Sequence, residues 1–176
     1  MCGRYVSRTD AAIERYWSLV EPWARPFESY NVAPSQSVPV VVQREPGLVG
    51  AFMRWGLVPH WAKGEPTKYS TINARAETVE KSASYRGPWA RGQRCVFPVL
   101  GFYEWKAVAG GKQPYFIRLA GGEPFGLAGL WDRSALPEGD AVESCTIITV
   151  PANPMVAGIH AKGRMPAMVT AESAPI

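Results

Sequence analysis

Short apolar runs bounded by strand-breaking residues constrain this chain most. Val, Ile, Leu and Phe dominate each run, and Gly, Pro, Glu and Asp separate them; the runs are SVPVVVQ, LVGAFM, CVFPVL, YFIRL, FGLAGLW and CTIITV. Such runs are typical of buried β-strands, and their spacing predicts a curved, mostly antiparallel sheet system. Pro39 and Pro98 lie inside two of the runs, which predicts sheet edges or bulges there.

Two segments carry helical signals instead. In TDAAIERYWSLV, Thr9 or Asp10 can cap a helix whose apolar residues recur at helical spacing from Ile13 to Val20. Asn153 and Pro154 match the N-cap and first turn of a short helix that ends near Gly158. Because 176 residues suit one domain, we expect a single α+β domain over residues 1–176, dominated by sheet, with a few peripheral helices.

Composition excludes several classes of protein. No apolar run approaches the roughly 20 residues of a membrane span, and charges interrupt the first thirty residues, so neither a signal peptide nor a membrane anchor is expected. The three cysteines are odd in number and widely spaced, which favours reduced thiols in a cytoplasmic setting. With only two histidines and no paired ligand spacing, we expect no metal and no cofactor.

Positive charge is concentrated in the middle of the chain. Between Arg54 and Arg94 there are eight basic and three acidic residues, an excess larger than the net charge of +4 for the whole chain. Five aromatic residues lie among them: Trp55, Trp61, Tyr69, Tyr85 and Trp89. This mixture is typical of a groove that binds single-stranded nucleic acid. A solvated basic face over core aromatics is the alternative.

Cys2 directly follows the initiator methionine. Removal of Met1 would leave an α-amine and a thiol on one residue, a pair that captures aldehydes as a thiazolidine ring. At pH 7 an α-amine of pKa ~7.7 is about one-sixth neutral, whereas a lysine is neutral only about once in 2,500 molecules. Two other interpretations stay open: an N-terminal nucleophile whose amine is the base for its own thiol, and a small apolar residue that begins the first strand.

Three further segments carry polar residues that could take part in the chemistry of a site. In TINARAET, alternation places Asn73, Arg75 and Glu77 on one side of an extended segment and two alanines on the other, although Arg75 and Glu77 could simply pair on the surface. Aromatic neighbours would raise the pKa of Glu104 in GFYEWK toward the range of a general acid or base, unless the side chain faces outward and is solvated, which alternation does not decide. His160, just ahead of Lys162 and Arg164, is a second acid/base candidate, although a lone histidine is more often structural.

The motifs MCGR, YNVAP, WGLVPHW, INARAET, GFYEWK, KQPYF and the late IH followed by RMP together resemble the SRAP family, the SOS-response-associated peptidases, now understood as abasic-site processing proteins. The resemblance runs from residue 2 to about residue 168 and implies a barrel-like sheet core. It implies a monomer, nucleoid-associated when acting on DNA, that binds single-stranded DNA and crosslinks abasic sites. By motif match, Cys2 forms the crosslink, Asn73 holds the sugar, and Glu104 and His160 are the acid/base pair.

The resemblance also implies DNA contacts. Arg4 and Arg75 match phosphate-contacting arginines, and we expect Trp55, Trp61 and Arg164 to contribute. Arg4 or a protonated His160 is expected to lower the pKa of the Cys2 thiol.

This chain departs from the family pattern in two places. Two extra residues stand between His160 and Arg164, where the family usually has His-x-Arg-Met-Pro, and the usual C-terminal segment is not expected within residues 1–176. A cysteine peptidase or amidase, and a DNA-binding module without chemistry, remain alternative functions.

Overall fold

The structure is a computed structural model that describes residues 2–174 and 176. Within these residues the chain forms twelve strands, three short α-helices and one 3-10 helix, His60–Ala62. The strands are β1 (Tyr5–Arg8), β2 (Glu28–Val32), β3 (Ser37–Arg44), β4 (Gly47–Trp55), β5 (Asn73–Arg75), β6 (Arg94–Val99), β7 (Gly101–Val108), β8 (Gly111–Ile117), β9 (Phe125–Ala135), β10 (Ala141–Pro151), β11 (Arg164–Pro166) and β12 (Met168–Val169). The α-helices are α1 (Ala11–Tyr16), α2 (Arg86–Ala90) and α3 (Pro154–Ala157).

Five strands close into a barrel in the order β10-β4-β3-β6-β9, and β9 pairs back to β10. The pairings are antiparallel except between β4 and β10, where the two strands run parallel. A closed barrel leaves no free edge among these strands, which removes a common site of aggregation. The prediction of an α+β domain with a barrel-like, mostly antiparallel core is confirmed.

A second, four-stranded antiparallel sheet has the order β2-β1-β7-β8. Its inner side chains, among them Tyr5 and Phe102, belong to the same buried cluster as the barrel residues Phe97 and Leu127. The two sheets therefore share one core. No helix in the described part of the chain is both long and apolar enough to cross a membrane.

Pro39 in β3 and Pro98 in β6 mark the end of one ladder. β3 and β6 pair only at Val41 with Val96 and at Val42 with Cys95. Extending this register by two residues would place Pro39 opposite Pro98, and neither has an N–H to donate. The ladder stops before them, and each proline still pairs on its other side, with Phe52 and Gly126 respectively. The predicted edge is thus local to the β3–β6 contact.

The helices agree with the sequence in position and partly in length. Asp10 caps α1 by accepting from the N–H groups of Ala12 and Ile13, and Asn153 caps α3 by accepting from Val156. The extension of α1 to Val20 was wrong: the helix ends at Tyr16, Ser18 takes a positive φ, and Val20 is exposed.

Candidate functional site

Cys2 lies at the junction of the two sheets, just before β1. Its side chain is fully buried, and its Sγ donates to the carbonyl oxygen of Arg4 at 3.8 Å. The same carbonyl accepts from the N–H of Tyr103 in β7, at 2.9 Å. Because Glu104 follows Tyr103 directly, this contact brings the N-terminal segment alongside the strand that carries Glu104.

The Cys2 thiol is protonated in this environment. Burial, and then the negative charge of Glu104, raise the pKa of the Cys2 thiol to about 12. The net shift is opposite to the predicted lowering: the hydrogen bond to the Arg4 carbonyl oxygen lowers the pKa of the thiol, but burial raises it more. The Arg4 guanidinium instead donates to the carbonyl oxygen of Gly3 at 2.7 Å.

Asn73 begins β5, which runs parallel to β10 and lies against it through a buried Ala74. The Asn73 Nδ2 donates to the backbone carbonyl oxygen of Cys2 at 2.9 Å. The backbone carbonyl oxygen of Asn73 accepts from the Tyr85 hydroxyl at 3.1 Å. Within residues 2–174 and 176, the buried Asn73 Oδ1 has no hydrogen-bond partner. The side chain therefore holds Cys2 with one atom and offers an acceptor with the other.

The segment after Asn73 differs from the predicted alternation. β5 ends at Arg75, and the chain then turns, so Ala76 is exposed although it was expected to pack inward. Arg75 is exposed, as a phosphate contact requires, and Arg4 is partly buried. Glu77 forms its salt bridge with Arg164, and the charge of Arg75 makes a smaller contribution to lowering the pKa of the Glu77 carboxyl.

Glu104 and His160 line one cavity of about 470 Å³, together with Trp105, Ala107, Lys112, Ala161 and Lys162. Glu104 is only 2% exposed, and burial raises the pKa of its carboxyl above the ordinary value, as the sequence predicted. The structure thus brings together the two residues that were expected to share acid/base work.

His160 is held in its neutral form by geometry and charge. Its Nδ1 accepts from the N–H of Arg164 at 3.1 Å, so the ring proton of the neutral form is on Nε2. Burial, followed by nearby positive charges that include Lys162 and Arg164, lowers the pKa of His160. A neutral imidazole can accept or donate a proton near pH 7.

The two extra residues after His160 form a turn. The N–H of Gly163 donates to the carbonyl oxygen of His160 at 2.8 Å, and Gly163 takes a φ of 57°, a conformation that glycine adopts without strain. The turn takes up the extra length, so His160 still reaches the cavity of Glu104 and Lys162 is added to its rim.

Two residues predicted to contact DNA have structural roles. Trp55 is fully buried between Tyr5 and Phe97, and its Nε1 donates to the carbonyl oxygen of Ile72, so it cannot stack on a base in this conformation. Arg164 has a side chain only 11% exposed, paired with Glu77 and donating to Thr149 at 2.6 Å. Both predictions are corrected: Trp55 is a core residue, and Arg164 joins β11, β10 and the turn after β5.

Trp61, in contrast, is 52% exposed on the 3-10 helix, where its Nε1 donates to the carbonyl oxygen of Ala83 at 3.3 Å.

Sequence reasoning missed Tyr85, which holds Asn73, and Lys112, which shares the cavity with Glu104. Lys112 lies at the start of β8. Only the pairing of β8 with β7 places it near Glu104, so no local signal in the sequence identifies it. Among the described residues no group of three His, Cys, Asp or Glu side chains is arranged to hold a metal ion.

In this barrel an asparagine holds Cys2 beside a cavity lined by a glutamate and a histidine, and the sequence model of one known family fits the chain. The sequence model of that family, SOS response associated peptidase (SRAP), matches residues 1–175. The chain belongs to the SRAP family.

Named relatives are similar over most of the chain. It is 39% identical to the abasic site processing protein YoqW of Bacillus subtilis (strain 168), over 98% of this chain and 78% of YoqW. It is 37% identical to the abasic site processing protein HMCES of Gallus gallus, over 83% of this chain and 52% of that protein, so the match spans about half of HMCES.

Solved structures share the fold. A crystal structure from Bordetella bronchiseptica superposes with a TM-score of 0.85 at 27% identity, covering 99% of this chain and 86% of that one. Another, from Bacteroides thetaiotaomicron, has a TM-score of 0.78 at 26% identity, covering 97% and 78% of the two chains.

Proposed function

We propose that this protein processes abasic sites in single-stranded DNA by forming a covalent thiazolidine crosslink through Cys2, after Met1 has been removed. One observation carries the proposal: Asn73 holds the Cys2 backbone with its Nδ2, and its buried Oδ1 is an acceptor without a hydrogen-bond partner among the described residues. A sugar hydroxyl is the kind of donor that this acceptor suits. The similarity to YoqW and HMCES, which are named abasic site processing proteins, supports the same proposal.

The first step is the opening of the closed sugar. An abasic deoxyribose is mainly a cyclic hemiacetal, so a proton must leave the anomeric hydroxyl while another reaches the ring oxygen. The raised pKa of Glu104 and the lowered pKa of His160 both favour the uncharged form, so the carboxyl can donate a proton while the imidazole accepts one. The two groups line one cavity, so both can reach a single sugar.

The second step joins the aldehyde to Cys2. The α-amine attacks C1′ and water leaves, which forms an imine. The thiol sulfur then attacks the imine carbon, and the thiol proton passes through the Glu104 carboxylate to the amine nitrogen, so the proton count balances. Because the thiol is protonated at neutral pH, Glu104 acts as the base for sulfur, and ring closure prevents the β-elimination that a free imine would undergo.

DNA contacts in this proposal come from arginine and aromatic side chains that solvent reaches: Arg75 and Trp61 are exposed, and Arg4 is partly buried. Arg75 and Arg4 bind phosphates, and Trp61 stacks on a base. We further propose that the protein acts as a monomer on DNA in the cytoplasm and that no cofactor is required, since the amine, thiol, carboxyl and imidazole supply every proton transfer.

The test is a denaturing gel with intact mass after the protein is mixed with a single-stranded oligonucleotide containing one abasic site. We expect a band with the mass of the Met1-less protein plus DNA less water. Cys2→Ala should abolish it, whereas Cys95→Ala, which removes another buried thiol, should retain it. An adduct formed by Cys2→Ala at the rate of the unsubstituted protein would falsify the proposal. Turnover of an amide substrate without adduct would favour a peptidase, and salt-sensitive DNA binding alone a non-catalytic module.

A further inference from the structure

Two lysines line the cavity that contains Glu104 and His160. Lys112 lies at the start of β8, and Lys162 lies in the turn between α3 and β11, so the two side chains come from separate elements. Both residues are exposed. Neither forms a salt bridge in the part of the chain that the structure describes. Lys112 and Lys162, called the lysine pair below, can therefore offer their charges to a ligand.

The charge of the cavity favours an anion. Of the described residues that line it, only Glu104 is acidic, and burial raises the pKa of its carboxyl, which favours the uncharged form. The two ammonium charges are thus not balanced within the cavity. Burial, and then nearby positive charges with Lys162 among them, lower the pKa of His160. The field of Lys162 therefore reaches the imidazole.

The turn that carries Lys162 is held in place by three hydrogen bonds. The N–H of Gly163 donates to the carbonyl oxygen of His160 at 2.8 Å, and the N–H of Ala152 donates to the carbonyl oxygen of Gly163 at 2.8 Å. The N–H of Arg164 donates to the His160 Nδ1 at 3.1 Å. These bonds keep Lys162 beside the imidazole, so an anion bound by its ammonium group lies next to His160.

Arg164 does not supply positive charge to the cavity. Its guanidinium pairs with Glu77 and donates to the carbonyl oxygen of Thr149 at 2.6 Å, and its side chain is only 11% exposed. It is also absent from the described residues that line the cavity. Among those residues, the lysine pair supplies the positively charged side chains.

A phosphate of the DNA backbone matches this arrangement. Each deoxyribose inside a strand is joined to one phosphate on either side, so a sugar placed between Glu104 and His160 brings an anion to the same cavity. Lysine ammonium groups bind phosphate oxygens through charge-assisted hydrogen bonds. An apolar ligand would leave both charges without a partner, and a cation would be repelled by them.

We propose that Lys112 and Lys162 together bind one of the two phosphates that flank the abasic sugar, so that the protein selects the sugar together with its phosphate. This inference rests on the proposed function, because it takes that function's DNA strand as the ligand. It gives the site a means of preferring an abasic site inside a strand to a free sugar or another small aldehyde, which has no phosphate to bind.

The experiment removes the charge of one phosphate at a time. The probe is a short single strand with one reduced abasic analogue, which has no aldehyde, so fluorescence anisotropy measures binding without crosslinking. In two further strands, an uncharged methylphosphonate replaces the phosphate on the 5′ side or on the 3′ side of the analogue. Each strand is titrated into the unsubstituted protein, Lys112→Gln, Lys162→Gln and the double variant. The control is Lys106→Gln, which removes an exposed lysine of β7 that does not line the cavity.

We expect the methylphosphonate on one side of the analogue to weaken binding by the unsubstituted protein and by Lys106→Gln about 3- to 30-fold. The double variant should bind the natural strand more weakly by a similar factor, and it should bind that methylphosphonate strand equally well. Each single variant should lose part of the sensitivity. Full sensitivity of the double variant on both sides, no sensitivity in the unsubstituted protein, or an equal loss in Lys106→Gln overturns the inference.

The two proposals fail separately. An unsubstituted protein that crosslinks abasic DNA but is insensitive to both methylphosphonates removes only the role of the lysine pair. Sensitivity that depends on the lysine pair, without a crosslink to abasic DNA that retains its aldehyde, removes only the Cys2 chemistry.

Discussion

Glu104 and His160 line the same cavity, but burial shifts their pKa values in opposite directions. For the carboxyl, burial disfavours the anion and raises the pKa, and for the imidazole it disfavours the cation and lowers the pKa. Both shifts favour the neutral form, which suits groups that exchange protons near pH 7. Because of the same burial, ionisation of Glu104 lowers the free energy of unfolding.

Glu104→Gln should therefore increase stability while it removes activity. Because the folded pKa is raised above 4.5, the contribution of Glu104 to stability is complete below pH 4.5 and is lost as the pH rises through the folded pKa. Glutamine has no such loss, so we expect the melting temperature of the variant to exceed that of the unsubstituted protein at pH 8, with the gap closing in acid. The crosslinking rate should fall about 100-fold or more.

Thermal unfolding at pH 4 and pH 8, with gel-based crosslinking rates, checks this prediction. Glu138→Gln, at an exposed position, is the control and should change neither quantity. A variant that melts below the unsubstituted protein at pH 8, or that crosslinks at its rate, would contradict the assignment of Glu104.

Asp132 joins three elements of the structure. Its buried carboxylate accepts from the N–H and the Nδ1 of His60, from Arg91 just after α2 at 2.8 Å, and from the N–H of Arg133 in β9. His60 is thus part of a structural contact. The loop with Trp61 and the end of α2 are both attached to the barrel by this one side chain.

Asp132→Ala should destabilise the protein by about 3 kcal/mol, because the buried N–H groups lose their acceptor and Arg91 loses its partner. Denaturant unfolding measures the change. Asp140→Ala, an exposed carboxylate in the turn between β9 and β10, is the matched control and should differ by less than about 0.5 kcal/mol. Equal losses in the two variants would show that the Asp132 contacts add nothing.

Barrel closure depends on a position without a side chain. Gly129 in β9 is opposite Cys95 of β6 on one side and Ile147 of β10 on the other. A Cβ at this position would lie 2.6 Å from the carbonyl oxygen of Thr146 and 2.6 Å from the Phe97 ring. The backbone oxygen belongs to the closing strand and cannot move aside without opening the ladder.

Gly129→Ala should therefore lower the free energy of unfolding by about 1–3 kcal/mol, since overpacking displaces strands on both sides. Gly111→Ala is the control, because a Cβ there meets nothing within 4 Å. The midpoints of denaturant unfolding compare the two. If Gly129→Ala matched its control, the close approach of β9 and β10 would not limit the fold.

Local patterns in the sequence predicted the five barrel strands and part of β8, but not β2, β7, β11, β12 or α2. Alternation, breakers and caps predicted these strands, the start of α1 and the short helix at Asn153, because these depend on neighbours in the chain. The chemistry of Cys2 after methionine, and the family motifs around Asn73, Glu104 and His160, likewise depend on short segments.

Only the tertiary structure decided which side chains are exposed and which charges meet. Trp55 and Trp61 stand six residues apart in one motif, yet strand pairing buries the first and loop geometry exposes the second. The pKa of the Cys2 thiol rises rather than falls because residues of distant strands bury it. Arg164 forms a salt bridge with Glu77 rather than lying free on the surface. Burial and long-range pairing depend on the closed barrel. The barrel joins segments that are far apart in the chain, so a short stretch of sequence does not determine either property.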